Sequence, residues 1–209
     1  MKKLAITSSI AAAILALASA AGHAQVPPMP QVPGALPASI RERLLKRRTA
    51  LASELEALQS KGAAFNAKCA TVASDSPMVQ ECASEQTQLE GERRHYIAGV
   101  AAFKNAIGKA LGPYGLAAIE SMSGKVERRM PNGGFARMPA NAVLHAGDEI
   151  ATGSDGHVVL LLVGGEYEFG PNETFLYKPE PGKNILGFRI TIDNGREVDE
   201  PVACPGVRG

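Results

Sequence analysis

Two rhythms of apolar positions divide the chain. Ile40, Leu44, Leu51, Leu55, Leu58, Phe65 and Cys69 recur at steps of three, four or seven, with an interruption near Arg48. After a break at 71–76, Cys82, Leu89, Tyr96, Val100, Phe103 and Ile107 resume the same rhythm. Such spacing draws one stripe down a 3.6-residue helix, so the pattern predicts two long amphipathic helices. Ser39 and Glu42, three apart, form a capping-box signature for the first helix. Ser76-Pro77 supplies a cap and first-turn proline for the second, which Gly112-Pro113 stops. Two striped helices joined by a short loop bury their stripes by folding into an antiparallel hairpin, similar to a short coiled coil.

From Leu116 the rhythm shortens and turn residues interrupt it every few positions. Val126, 142–144 and Ile150 read as short strands around a loop at 130–139, in which Pro131-Asn132-Gly133-Gly134 is a turn signal. Val158 to Val163 is apolar on both faces, which predicts a central, doubly buried strand that Gly164-Gly165 turns back into Tyr167 and Phe169. Phe175 to Tyr177 follows another turn. Ile185 to Asp193 then alternates Phe188, Ile190 and Ile192 with Arg189, Thr191 and Asp193, a half-exposed strand closed by Asn194-Gly195 and expected at an exposed edge. The fold class predicted is α+β: a helical hairpin followed by a small all-β roll.

The order Gly147-Asp148-x-Ile150-x-Thr152-Gly153, then Asp155-Gly156, an apolar strand, Gly164-Gly165 and Gly170-Pro171-Asn172-x-Thr174, resembles the FecR-type domain named after the ferric-citrate regulator of bacterial envelopes. The resemblance spans Leu116 to Tyr177. It implies a β-roll that binds or signals rather than catalyses. In Gly147-Asp148 the glycine permits a positive-φ turn and the aspartate can bond nearby amides, and Thr152, Gly153, Asp155 and Gly156 read as the next reversal. The iron-sensing regulators of that family carry a cytoplasmic segment and a membrane helix. This chain begins differently, so direct transmembrane signalling is not expected of it.

Lys2 and Lys3 precede an apolar, small-residue run from Leu4 to Ala21, then Gly22-His23-Ala24, the pattern of a secretory signal peptide cleaved after Ala24. No cysteine lies near that point, which closes the lipoprotein route. The mature chain is therefore expected to be soluble, not membrane-spanning, in the periplasm or secreted. Cleavage removes two of the 22 basic residues and none of the 21 acidic ones, leaving a formal charge of −1. That balance argues against a nucleic-acid partner. Prolines 27, 28, 30, 33 and 37 then favour an extended spacer. The expected layout is signal peptide 1–24, Pro-rich linker 25–38, helical hairpin 39–112 and FecR-like β-domain 116–209.

Cys69 ends the first stripe and Cys82 opens the second, so both face inward beside the loop. In an oxidising compartment they are expected to form a disulfide. Cys204 is left over. Catalytic chemistry finds little footing: no Gly-x-Ser-x-Gly elbow occurs, Cys204 has no local histidine, and Asp199-Glu200 read as part of a polar tail. His145 and His157 flank Asp148, Glu149 and Asp155, yet their spacing matches no ligand motif, and turn acids with strand-edge histidines are the simpler reading. Catalytic, cofactor and metal residues are thus expected to be none. Arg128-Arg129, with Arg137 nearby, is a cluster that could contact an acidic partner or glycan, but a solvated surface is the preferred reading of it. The functional expectation is a non-enzymatic envelope interaction module binding an envelope protein or a cell-wall polysaccharide, in signalling or scaffolding. The alternative is a structural cell-wall or matrix component forming homo-oligomers through the hairpin.

Overall fold

The computed structural model describes residues 27, 29–130, 132–162, 165–180, 185–193 and 196–203. The signal-peptide segment with its Ala24 cleavage point, and Cys204, lie outside the described residues. Helices α1 (Ala38–Cys69) and α2 (Met78–Leu111) lead, and ten strands follow: β1 (Ala117–Ser123), β2 (Val126–Arg129), β3 (Phe135–Arg137), β4 (Val143–Leu144), β5 (Glu149–Thr152), β6 (His157–Leu162), β7 (Gly165–Phe169), β8 (Thr174–Glu180), β9 (Ile185–Asp193) and β10 (Arg196–Ala203). The α+β class is therefore realised. No helix among the described residues is long and apolar enough to cross a membrane.

Contacts divide the chain inside the helices rather than at Gly112. One unit contains Thr49–Val100, the other Met29–Arg48 with Ala101–Gly209. In the helical unit, the pairs Leu51 and Gly99, Lys61 and Glu92, and Cys69 and Cys82 fall as one partner descends and the other climbs, the signature of an antiparallel hairpin. Ser76 caps α2: its hydroxyl accepts the Met78 amide at 3.3 Å, with Pro77 in the first turn. Ser39, by contrast, lies inside α1. The carbonyl of Pro37 accepts the amides of Ile40 and Arg41, so the helix starts before the expected cap.

The predicted disulfide joins Cys69 to Cys82. Beside it, Lys68 pairs with Glu81 at 2.7 Å and Glu85 at 2.9 Å across the loop. Closing a loop of this length should stabilise the hairpin by about 3 kcal/mol in the chain-entropy model. Reduction is accordingly expected to lower the denaturation midpoint of the helices, read by far-ultraviolet circular dichroism with and without a thiol reductant. An unchanged midpoint would show that the cross-link constrains little.

Residues 29–37, expected to act as a spacer, are instead held by the second unit. Pro30, Pro33 and Leu36 are buried, Arg48 donates to the Pro30 carbonyl at 3.3 Å and Arg41 to that of Gly34 at 3.1 Å. The same unit holds two antiparallel sheets, one ordered β4-β1-β6-β7 and the other β10-β9-β8-β5-β2-β3. Their facing sides share one core that includes Ile119, Val126, Leu144, Ile150, Val158, Leu160, Phe169, Phe175 and Tyr177. As expected, β6 lies inside its sheet, and Leu160 and Leu162 enter the core; on the opposite face Leu161 is 2% exposed, but Val159 and His157 are only half-buried. Pro179, which would break a ladder, falls where the β8–β9 register shifts between Tyr177 and Glu180.

Four strands differ from expectation. β9, expected at an exposed edge, pairs with β8 on one side and β10 on the other, so the edge falls to β10. β1 carries no strand signal in its sequence, because Ala-Ala-Ile-Glu-Ser-Met-Ser has neither alternation nor β-branched bulk beyond Ile119. β3 interrupts the supposed loop at 130–139, with Met130 accepting from Gly133 and donating to Gly134 to close the β2–β3 hairpin. Asp199 and Glu200 sit not in a tail but on β10, paired with Ile190 and Arg189 at the edge of the larger sheet.

Candidate functional site

The residues singled out by their turn chemistry gather at the two ends of β5. At its start Gly147 adopts φ +96° and its amide donates to the Tyr177 carbonyl at 2.7 Å. Asp148 uses one carboxylate oxygen to accept the His145 amide at 2.7 Å and the other to pair with Arg128 at 3.0 Å. Ile150 lies between the ends, in the core. At the far end Thr152 is buried, and its hydroxyl accepts the Glu173 amide at 2.8 Å while donating to the Gly170 carbonyl at 2.6 Å. That pair ties β5 to the turn before β8.

Gly153 donates to the Lys125 carbonyl at 2.8 Å and accepts from the amides of Gly156 and Asn172. Asp155 accepts the Lys125 amide at 3.2 Å. Gly124, at φ +64°, presses so close that an added Cβ would meet the Asp155 carbonyl oxygen at 2.0 Å. The backbone thus admits only glycine there. Replacing Thr152 by the isosteric valine leaves the Glu173 amide and Gly170 carbonyl without that hydroxyl, so a loss of about 2 kcal/mol is expected in chemical denaturation. A valine variant as stable as the parent would mean water replaces the hydroxyl.

The interlocked turns make the floor of an open groove. It encloses about 420 Å³ and is lined by Gly124, Lys125, Glu127, Arg137 and Asp155. Register places Glu127 opposite Arg137 and Arg129 opposite Phe135, so these four side chains share the outer face of the larger sheet. Arg129 stacks over the Phe135 ring at 5.5 Å and pairs with Glu149 at 3.0 Å. Lys125 pairs with Glu127 at 3.0 Å. Arg137 differs from Arg128, Arg129 and Arg189, each of which has a carboxylate partner. Among the described residues its guanidinium has none. Phe135 and Met130 are 41% and 43% exposed, which leaves apolar surface beside that free cation.

The histidines do not converge. His145 lies 3.7 Å from Asp148, whereas His157 contacts Glu168 on β7 at 2.6 Å. Of the groove residues, Asp155 and Arg137 were visible in the sequence, the first as a turn acid and the second in a basic cluster. Gly124, Lys125 and Glu127 carried no local signal, because only strand pairing brings them beside Arg137.

A second charged cluster sits on the outer face of the smaller sheet. Lys104 of α2 pairs with Glu120 of β1 and, at 2.9 Å, with Glu166 of β7. Glu120 is the extra residue where the β1–β6 register shifts between Ile119 and Ser121, so a bulge aims it at the helix. Its side chain is 4% exposed, and its Oε2 is buried without a hydrogen-bond partner. Burial pushes the Glu120 carboxyl above the ordinary carboxylate value, against the opposing pull of Lys104. For Lys104 burial acts downward, but the hydrogen bonds to Glu120 and Glu166 outweigh it and hold the ammonium charged. This cluster docks helix on sheet and opens onto no groove among the described residues. Comparison of the chain with protein-family models, with curated proteins and with solved structures finds no match.

Proposed function

We propose that the chain is a non-enzymatic interaction module of the bacterial envelope, whose FecR-like β-unit binds a protein or polysaccharide partner. The observation that carries this reading is the groove beside β2 and β3. The motif residues around it are engaged in turn hydrogen bonds, while exposed Phe135, Met130 and Arg137, unpaired among the described residues, present mixed apolar and charged surface. Exposed aromatic and arginine side chains are the types enriched where proteins bind partners. The signal-peptide pattern of residues 1–24 supports an envelope location.

The test is capture with the mature chain as bait, from solubilised envelope and from isolated cell-wall polymer, followed by hydrogen exchange on the complex. Saturable binding that protects residues 124–137 and 153–156 is the expected result. Protection confined to the helices would overturn it.

The structural alternative, homo-oligomers formed through the hairpin, is favoured by one observation. Leu55, Leu58, Phe65 and Leu89 of the helical unit are only half-buried, and Ile97 is 37% exposed. Light scattering distinguishes it, since a monomer at every concentration tested would remove it.

A further inference from the structure

We infer that the β2–β3 groove is a binding site for a carboxylate-bearing glycan, with Arg137 as its anion clamp. The inference rests on the β-unit being an interaction module, and it names the ligand class and the residues that read it.

The groove combines requirements that few ligands meet together. Arg137 is exposed, unpaired among the described residues, and offers a planar fork matched to a carboxylate. Glu127 and Asp155 present carboxylate oxygens that accept hydrogen bonds, so the ligand must bring donors to them. Their other contacts leave capacity: Glu127 pairs through Oε2 with Lys125, and Asp155 accepts the Lys125 amide through Oδ1. A molecule carrying one carboxylate and several hydroxyls satisfies both sides.

Gly124 forms part of the floor, and the side on which a Cβ would stand is filled by the Asp155 backbone, which holds that carboxylate at the groove. A space of about 420 Å³ falls within the range of small-ligand sites and suits a segment of two sugar rings. Phe135 stands two residues before Arg137 on the same exposed face of β3, so a longer chain leaving the clamp crosses its ring. That ring presents an apolar surface to the C–H face of a sugar, with Arg129 stacked on it. An acidic peptide offers carboxylates and N–H donors too but no sugar C–H face for the Phe135 ring, and a polyglutamate titration separates the two.

The test is isothermal titration of the mature chain with polygalacturonate, its methyl-esterified counterpart and polyglutamate, for the parent and for Arg137→Ala and Glu127→Gln. Arg137→Ala removes an exposed side chain with no ion-pair partner among the described residues, so its melting temperature is expected to match the parent's and any loss of binding is a loss of contact. The expected result is saturable binding of polygalacturonate, weakened tenfold or more by Arg137→Ala, about threefold by Glu127→Gln, and strongly by methyl esterification. Three results would overturn the inference: no saturable binding, binding indifferent to Arg137, or polyglutamate binding as tightly with the same dependence on Arg137. Each leaves the broader reading to be judged separately, because envelope capture with protection of residues 124–137 does not require an acidic glycan.

Discussion

Phe175→Ala is expected to destabilise the β-unit by about 3–5 kcal/mol, most of the stability an ordinary domain has. Phe175 is fully buried on β8, opposite Ile150 of β5. Its ring centroid lies 4.5 Å from that of Phe169 and 6.2 Å from that of Tyr167. The site has little freedom to collapse onto a smaller side chain. On the β9 side its ring fills the space over Gly187, where an added Cβ would meet Phe175 Cζ at 2.6 Å, so alanine at 175 opposite glycine at 187 leaves a void. The chain has no tryptophan and only 5% aromatic residues, so few other large side chains share the load. Chemical denaturation followed by circular dichroism reads the loss, and a midpoint equal to the parent's would refute this account of the core.

Lys104→Met is expected to cost about 3–5 kcal/mol at neutral pH, because it strands a buried carboxylate rather than removing a pair. The Glu120 carboxyl is then left with Oε2 already unpartnered among the described residues and the ammonium gone. The pH dependence identifies the cause. Burial holds the folded-state Glu120 carboxyl above its ordinary value of 4.5, so the folded protein takes up its proton more readily than the unfolded chain. The stability linked to that proton is fully present below 4.5 and lost as pH rises through the higher folded value. Removing Lys104 raises that folded value further. The stability gap between variant and parent should therefore narrow as pH falls from 7 toward 4.5. Adding Glu120→Gln to the variant should recover much of the loss at neutral pH and flatten the dependence. A gap constant with pH would assign the cost to lost packing of the lysine stem instead.

The helices were legible because burial enforces a period. Every stripe position named on α2 except Leu89 is buried, and the cysteine pairing followed from where each stripe ends. Interior β6 was legible for a related reason, since a strand covered on one face and half-covered on the other is apolar over most of its length. β1 escaped because its alanines form a strand only through pairing with β4 and β6, contacts far away in sequence. β10 escaped because an edge strand can carry Asp199, Glu200 and Pro201, which read as tail composition. The groove was half legible: Arg137 and Asp155 stood out as types, but nothing local marks Lys125, whose backbone bonds Asp155 and Gly153 and whose side chain pairs with Glu127. The segment before α1 was misjudged for a composition that also suits docking, since proline enters a packed surface with little backbone entropy to lose.

The discontinuous second unit has a kinetic consequence. Its two sequence segments, Met29–Arg48 and Ala101–Gly209, are separated by the 52 residues from Thr49 to Val100. Closing a flexible loop of that length costs about 3.5 kcal/mol by the logarithmic relation alone. The helical unit removes much of that cost, because its contacts are local in sequence and Leu51 ends beside Gly99. Helices with local contacts form faster than strands with distant partners, so the hairpin should assemble first and deliver Arg48 and Ala101 close together. Pulse-labelled exchange should then show α1 and α2 protected before β8 and β9. The long insertion is in this sense a folding aid: an early-forming clamp that shortens the search its own insertion would otherwise impose on the sheets.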